Sequence, residues 1–241
     1  MRPPFEELAS EETRMGIISL RRRLEPSRGI DVYEVKLDDE FLMSSMFTTA
    51  EIELARLGLA AVDGTDLDVV VGGLGLGYTA QAALGDDRVG SVVVVEALAE
   101  VIDWHEGDLL PDVAGLAADP RVELVHGDLF ALVAGGDGLD PTTPGRTFDA
   151  ILVDIDHSPR HVLHPTHERF YTAAGLRALA RSLRPGGVFA LWSDDPPDAD
   201  FLAVLGEVFA RTEAHEVTFR NLIAGGESMN TVYVASYTPR G

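Results

Sequence analysis

Asp68-Val69-Val70-Val71-Gly72-Gly73-Leu74-Gly75-Leu76-Gly77 constrains the fold of this chain more than any other stretch. Three β-branched residues run straight into glycines at 73, 75 and 77, and Tyr78 to Leu84 then reads as a helix. A buried parallel strand, a glycine turn and a helix start place bare backbone where a nucleoside or phosphate can lie. The spacing separates the ligands. A dinucleotide fingerprint, G-x-G-x-x-G counted from Gly73 and Gly75, needs glycine where the chain has Tyr78. What stands there instead is G-x-G-x-G.

The rest of the chain supplies the sheet and helices that such a turn needs. Glu51 to Ala61 suits a helix. Strand 68–72 then leads to helix 76–84, strand 91–95 to helix 97–106, and strand 121–125 to helix 128–134. Strand 148–153 leads to helix 167–183 and strand 187–192 to helix 198–210, and late strands lie near 214–219 and 230–236. Continuous apolar strands alternating with helices predict a mostly parallel sheet covered on both faces, an α/β Rossmann-like fold. Before it, residues 17–24 and 30–37 flank a Pro26-Ser27-Arg28-Gly29 turn and form a β-hairpin. Residues 1–14 are polar and proline-containing, and are expected to be poorly ordered at the start. The division is therefore 1–48 for the extension and hairpin and 49–241 for the main domain. Arg21 to Arg23 read as a solvated strand edge.

Bulk properties narrow the partners. A formal charge of −21 over 241 residues argues against nucleic acid, whose phosphates need a basic face. It suits solubility, or an acidic mouth that attracts a cationic substrate such as a polyamine. No apolar run approaches the roughly 18 residues of a membrane span, and the N-terminus lacks the apolar core of a signal peptide. Cysteine is absent, which excludes disulfides, thiolate chemistry and Cys-ligated zinc. A cytoplasmic location is expected.

Ligands of doubly wound sheets bind at the carboxyl ends of the strands. The first strand ends in the glycines 72, 73, 75 and 77. The second ends at Glu96-Ala97, about 20 residues on, where a carboxylate takes both ribose hydroxyls. The third ends at His126-Gly127-Asp128-Leu129. Asp128 there can accept from an adenine amino group while the Leu129 N–H meets a ring nitrogen. Glu96 and Asp128 also suit helix N-caps. Together the three strand ends predict a nucleoside site.

With these residues in view, the chain resembles the spermidine synthase family, the polyamine aminopropyltransferases within the class I methyltransferase fold. The resemblance runs through the hairpin, Asp39-Glu40-Phe41, Val71-Gly72-Gly73, Val95-Glu96, Gly127-Asp128, Phe148 to Asp154, and Leu183-Arg184-Pro185-Gly186-Gly187. It implies a seven-stranded, mostly parallel sheet with helices on both faces and an antiparallel hairpin at its edge. It also implies a nucleoside-bearing sulfonium cofactor and a homodimer. The G-x-G-x-G spacing is familiar from S-adenosylmethionine-dependent enzymes.

Three departures stand against that resemblance. Gly75 replaces the loop aspartate that holds the amino end of decarboxylated S-adenosylmethionine. Met43, Ser44 and Ser45 replace a Tyr-His-Glu that binds both substrates. In Asp154-Ile155-Asp156-His157-Ser158-Pro159 the second catalytic carboxylate is replaced by His157 or moved to Asp156. Loss of negative charge at Gly75 favours intact S-adenosylmethionine, and so predicts methyl transfer to a small, cationic amine. The alternative is a divergent aminopropyltransferase using the decarboxylated cofactor. A further alternative is a catalytically idle nucleoside-binding relative.

Transfer from a sulfonium needs an unprotonated nucleophile held in line, and a base. Asp154, Asp156 and His157 are the catalytic candidates, Asp154 also touching cofactor. Met43, Ser44, Tyr78, Trp192 and Asp194 are the substrate-side candidates, Trp192 suiting an organic cation. His157, His161, His164 and His167 have helical spacing, but Pro159 and Pro165 interrupt any helix, so no metal is expected.

Overall fold

The computed structural model describes residues 3–221 and 225–239. Its strands are β1 (Phe5–Thr13), β2 (Gly16–Glu25), β3 (Ile30–Leu37), β4 (Glu40–Ser44), β5 (Leu67–Gly72), β6 (Val89–Glu96), β7 (Val122–His126), β8 (Phe148–Val153), β9 (Leu183–Ser193), β10 (Arg211–Arg220) and β11 (Glu227–Ser236). Its α-helices are α1 (Thr49–Ala60), α2 (Tyr78–Leu84), α3 (Ala99–Glu106), α4 (Leu129–Gly135), α5 (Ala173–Ala180) and α6 (Ala199–Gly206).

Strands β5 to β11 form the expected seven-stranded sheet, in the order β10-β11-β9-β8-β5-β6-β7. The pairs among β5 to β9 are parallel, and β10 and β11 close the edge antiparallel. The valines of β5 show why both faces are covered. Val69 and Val71 pack with Leu54, Leu59 and Ala80 from α1 and α2. Val70 points the other way, toward Leu129 of α4 and Leu176 of α5. Each is fully buried, which stabilises the fold by about 1.5–3 kcal/mol per side chain. Gly72 pairs with Val95 and Val153, so the ends of β5, β6 and β8 stand level at one edge.

The opposite edge explains two of the sequence motifs. Asp68 and Asp149 open β5 and β8, and Arg184 bridges both, while Arg146 joins Asp68 to the buried Asp140. Phe148-Asp149 and Leu183-Arg184-Pro185 thus fasten the amino ends of the strands, far from the ligand edge.

Four expectations change. Residues 5–13 form β1, which pairs antiparallel with β2; its side chains are largely exposed, so no apolar period announced it. The expected hairpin is present as β2 and β3, and β1 and β4 extend it to a four-stranded sheet, β1-β2-β3-β4. Arg21 to Arg23 consequently lie on an inner strand, and Arg22 is buried beside Glu6 and Asp31 at 3.1 and 2.7 Å. Finally, the helix expected over 167–183 is broken. A 3-10 turn covers Pro165–Arg169, and Thr172 caps α5 by accepting from the Gly175 N–H.

The four-stranded sheet is not a detached unit. Its Ile18, Leu20, Tyr33 and Val35 belong to the same apolar cluster as Leu54 and Leu59 of α1. Strand β4 and α1 therefore reach the ligand edge of the large sheet from one side.

Candidate active site

The glycine loop is shaped by three left-handed residues. Gly73, Gly75 and Gly77 have φ of +93°, +47° and +86°, a region that penalises a Cβ. A side chain at 73 would also run into the carbonyl of Asp154. Below the loop, buried His105 donates from Nε2 to the Gly75 carbonyl at 2.8 Å. Burial holds the His105 pKa below its ordinary value, so the ring is neutral there.

Glu96 fastens the loop to β6. Its Oε2 accepts from the Leu74 N–H and its Oε1 from the Leu98 N–H, both at 2.9 Å. Burial raises its pKa, and backbone N–H donors oppose the shift. Asp128 caps α4 by accepting from the Ala131 N–H at 3.1 Å. Only Asp128 acts as a helix cap, since α3 begins after Leu98 without a side-chain cap, and both carboxylates line a cavity of about 380 Å³ together with Gly73, Ala97, Leu129 and Phe130. Gly72 and Gly77 do not line it. A Cβ on them would meet Leu129 and His105, so their role is to let strand and helix pack.

A second cavity of about 380 Å³ adjoins the first through Gly73, Glu96, Ala97 and Ile155. Met43, Ser44, Gly75, Asp154, His157, Trp192 and Asp194 all face it, so the structure brings these candidates together. Asp154 Oδ2 accepts from the Thr79 hydroxyl at 2.8 Å. His157 Nε2 meets Glu40 Oε1 at 2.9 Å, and Asp194 Oδ1 accepts from Asn230 at 2.7 Å. The Trp192 ring N–H is buried with no hydrogen-bond partner among the described residues.

Met43 and Gly75 are coupled. The Met43 sulfur accepts from the Leu76 N–H at 3.3 Å, and a Cβ at 75 would stand 2.5 Å from it. Methionine fills the space into which a loop aspartate would grow.

The cavity also holds a residue that the motif search passed over. Glu51, in the first turn of α1, is only 9% exposed and faces Asp154 across the site. Burial first, then the Asp154 charge, raise its pKa to about 8. Burial likewise raises Asp154 to about 6, against the Thr79 hydrogen bond. Two carboxyls so placed share a preference for one proton, or for a cation between them. A signal was present in the sequence: Leu54 and Ala55 follow Glu51 at helical spacing, so the apolar face of α1 carries an acid.

Two candidates are corrected. Asp156 is 1% exposed and lines neither cavity; it accepts from the Leu163 N–H, His167 Nδ1 and the Tyr171 hydroxyl. With its oxygens taken up inside the protein, it is not the displaced catalytic carboxylate. Tyr78 also lines neither cavity; its hydroxyl donates to Asp112 at 3.0 Å and lies near Ser45 and Glu51 behind the cavity wall. Among the described residues no cluster of three or more His, Asp or Glu is arranged to hold a metal. None of their helices is long and apolar enough to cross a membrane.

This architecture is the class I methyltransferase-like α/β fold, with an antiparallel sheet ahead of the main one. Two crystal structures share that form: spermidine synthase from Thermotoga maritima (TM-score 0.72, 20% identity) and a spermidine synthase bound to the transition-state analogue AdoDATO (TM-score 0.73, 19% identity). Each likeness covers 95% of this chain, and 72% and 73% of the other chain. In sequence, 111 residues are 36% identical to a polyamine aminopropyltransferase of Corynebacterium efficiens, covering 45% of this chain and 20% of that relative. No protein-family model matches. The resemblance to the spermidine synthase-like family is thereby borne out, and the fold with it. The expectation of methyl transfer fares less well, since these likenesses are to proteins named for aminopropyl transfer or spermidine synthesis.

Proposed function

We propose that this chain is an aminopropyltransferase-type enzyme that moves an ammonium-bearing three-carbon group from decarboxylated S-adenosylmethionine to an amine of the polyamine class. The observation that carries this reading is the Glu51–Asp154 pair. Gly75 removes one carboxyl from the loop, and Glu51 supplies one to the same cavity from α1. Raised to about 8, it holds a proton in the ligand-free protein and gives it up when an ammonium enters beside it. Among the described residues the lining contains Glu51, Glu96, Asp154 and Asp194 but neither lysine nor arginine. A methionine carboxylate would enter that field without a counterion, whereas an ammonium would relieve the repulsion between Glu51 and Asp154.

In this reading the glycine loop and Glu96 hold the nucleoside, Glu96 taking the ribose hydroxyls and the Asp128 end taking the base. Trp192 and Asp194 receive the cationic acceptor. The acceptor nitrogen attacks the aminopropyl carbon bonded to sulfur. A C–N bond forms, the C–S electron pair returns to sulfur, and methylthioadenosine leaves as a neutral thioether. The attacking amine sheds one proton. Asp154 is poised to take it, its pKa having been raised toward neutrality. His157 is a second acceptor. Its Nε2 meets Glu40 Oε1, which holds the ring at the cavity. Exposed Phe5, Ile17 and Ile30 on the four-stranded sheet support a homodimer built on that face.

Calorimetry with the decarboxylated and intact cofactors tests the reading directly. The decarboxylated form is expected to bind at least about tenfold tighter, and to release methylthioadenosine when a diamine is added. Tighter binding of the intact cofactor would return the site to methyl transfer.

A further inference from the structure

The Asp156–His167 pair lies outside the reacting centre, yet it is one of the most tightly organised polar groups in the chain. Asp156 is 1% and His167 7% exposed. Three donors converge on the carboxylate: the Leu163 N–H at 2.8 Å, His167 Nδ1 at 2.9 Å and the Tyr171 hydroxyl at 2.8 Å. A carboxylate oxygen accepts, so Nδ1 carries a hydrogen, and the tautomer with its single hydrogen there offers Nε2 as an acceptor. The ring cannot turn away. It stacks on Phe130 with centroids 3.9 Å apart and an interplanar angle of 27°.

Nε2 has no partner among the described residues, and His167 lines the nucleoside cavity beside Asp128 and Phe130. An acceptor held at the wall of a cavity with no protein partner is open to a ligand donor that displaces the water there. The neighbouring carboxylate of Asp128 is also an acceptor, one oxygen of which is occupied by the α4 cap. Acceptors on both residues call for a donor on the base.

We propose that His167, oriented by Asp156, is a specificity-determining residue of the nucleoside cavity, its Nε2 accepting a hydrogen from the exocyclic amino group of a 6-aminopurine. The site then selects adenosine-type over inosine-type ligands, whose 6-oxo group would face two acceptors. This rests on the nucleoside reading above, and refines it by naming what reads the base.

The test is titration of the whole chain with 5′-methylthioadenosine and 5′-methylthioinosine. The wild type is expected to favour the amino compound. His167→Phe keeps the stack on Phe130 but removes the acceptor, and should lower that preference about tenfold or more. His167→Gln, whose amide can donate to Asp156 and accept from the base, should restore most of it. A structural role alone would weaken both ligands equally and leave the ratio unchanged, which would overturn the proposal. So would a wild-type preference for the oxo compound. If His167→Phe fails to fold, 15N NMR of the wild-type imidazole decides. The His167 Nε2 resonance should move on binding the amino compound and not the oxo compound, and an unmoved resonance would overturn the assignment. Failure of both nucleosides to bind would refute the nucleoside reading itself, a result distinct from intact binding with an unaltered ratio.

Discussion

Gly73, Glu96 and Asp128 stand at three successive strand ends of one sheet, whereas Met43, Glu51, His157 and Trp192 reach the cleft from four separate elements. The first set is fixed by backbone: left-handed φ in the loop, parallel register, and N–H groups that Glu96 and Asp128 accept from. The second set is fixed by side chains on β4, α1, the segment after β8, and β9. The difference has a consequence. The nucleoside end can change little without disturbing the sheet, while the acceptor end can exchange charges between elements and keep the fold. In the proposed reading, glycine at 75 and glutamate at 51 are one such exchange.

Asp154→Asn puts the largest strain on that contrast. Asp154 belongs to the acceptor end by its carboxylate and to the nucleoside end by its backbone, whose N–H donates to the Gly72 carbonyl at 2.8 Å. The variant should lower methylthioadenosine release by about 10²–10⁴-fold, while leaving the calorimetric affinity for methylthioadenosine unchanged. Equal loss of both would mean that the two ends do not act separately.

Glu51→Gln is expected to have the next largest effect, read through pH. The Glu51 carboxyl is raised to about 8 in the folded protein, against about 4.3 in an unfolded chain. Between these values the folded state holds a proton that the unfolded state has released, so stability falls as pH rises through the window. Urea unfolding of the ligand-free wild type at pH 5 and pH 8.5 should show that fall. The variant should flatten it and be more stable at pH 8.5 by on the order of 1–3 kcal/mol. It should also bind the decarboxylated cofactor more weakly. A variant with an unchanged pH profile would remove Glu51 from the acceptor end.

The same contrast sets what was legible in the sequence. The glycine spacing, Glu96 and Asp128 lie at intervals fixed by a repeating β/α unit, so position along the chain implied position in space. Asp154, Trp192 and Asp194 were legible for the same reason, as strand-end residues. Glu51 carried only a weak signal, an acid on the apolar face of the first turn of α1, because packing against β8 and β9 is what brings it to the cleft. Asp156 was misassigned since linear proximity to Asp154 does not give direction. Successive residues after a strand diverge, and here Asp156 turns inward to His167 and Tyr171. Strand β1 escaped notice because it is stabilised by pairing with β2 rather than by an apolar face. Tyr78 follows the glycine loop in sequence, but its hydroxyl turns to Asp112, outside both cavities.

The smallest effect concerns Met43 and Gly75, and it asks whether the acceptor end behaves as an exchangeable unit. Gly75→Asp returns the aspartate of the resembling family to a residue with φ of +47°, a conformation that aspartate tolerates better than most side chains. The obstacle is steric, since its Cβ would stand 2.5 Å from the Met43 sulfur. The single variant should therefore lose about 1–3 kcal/mol by overpacking. Met43→Ala alone should cost stability through lost packing. In the double variant, however, the space left by methionine receives the carboxylate, and a favourable coupling on the order of 1 kcal/mol is expected from a urea-denaturation cycle. Additive energies would show that the two residues do not share one space. A favourable coupling, together with recovered cofactor binding when Glu51→Gln is added, would show that the ammonium-recognising charge can sit on either side of the same cavity.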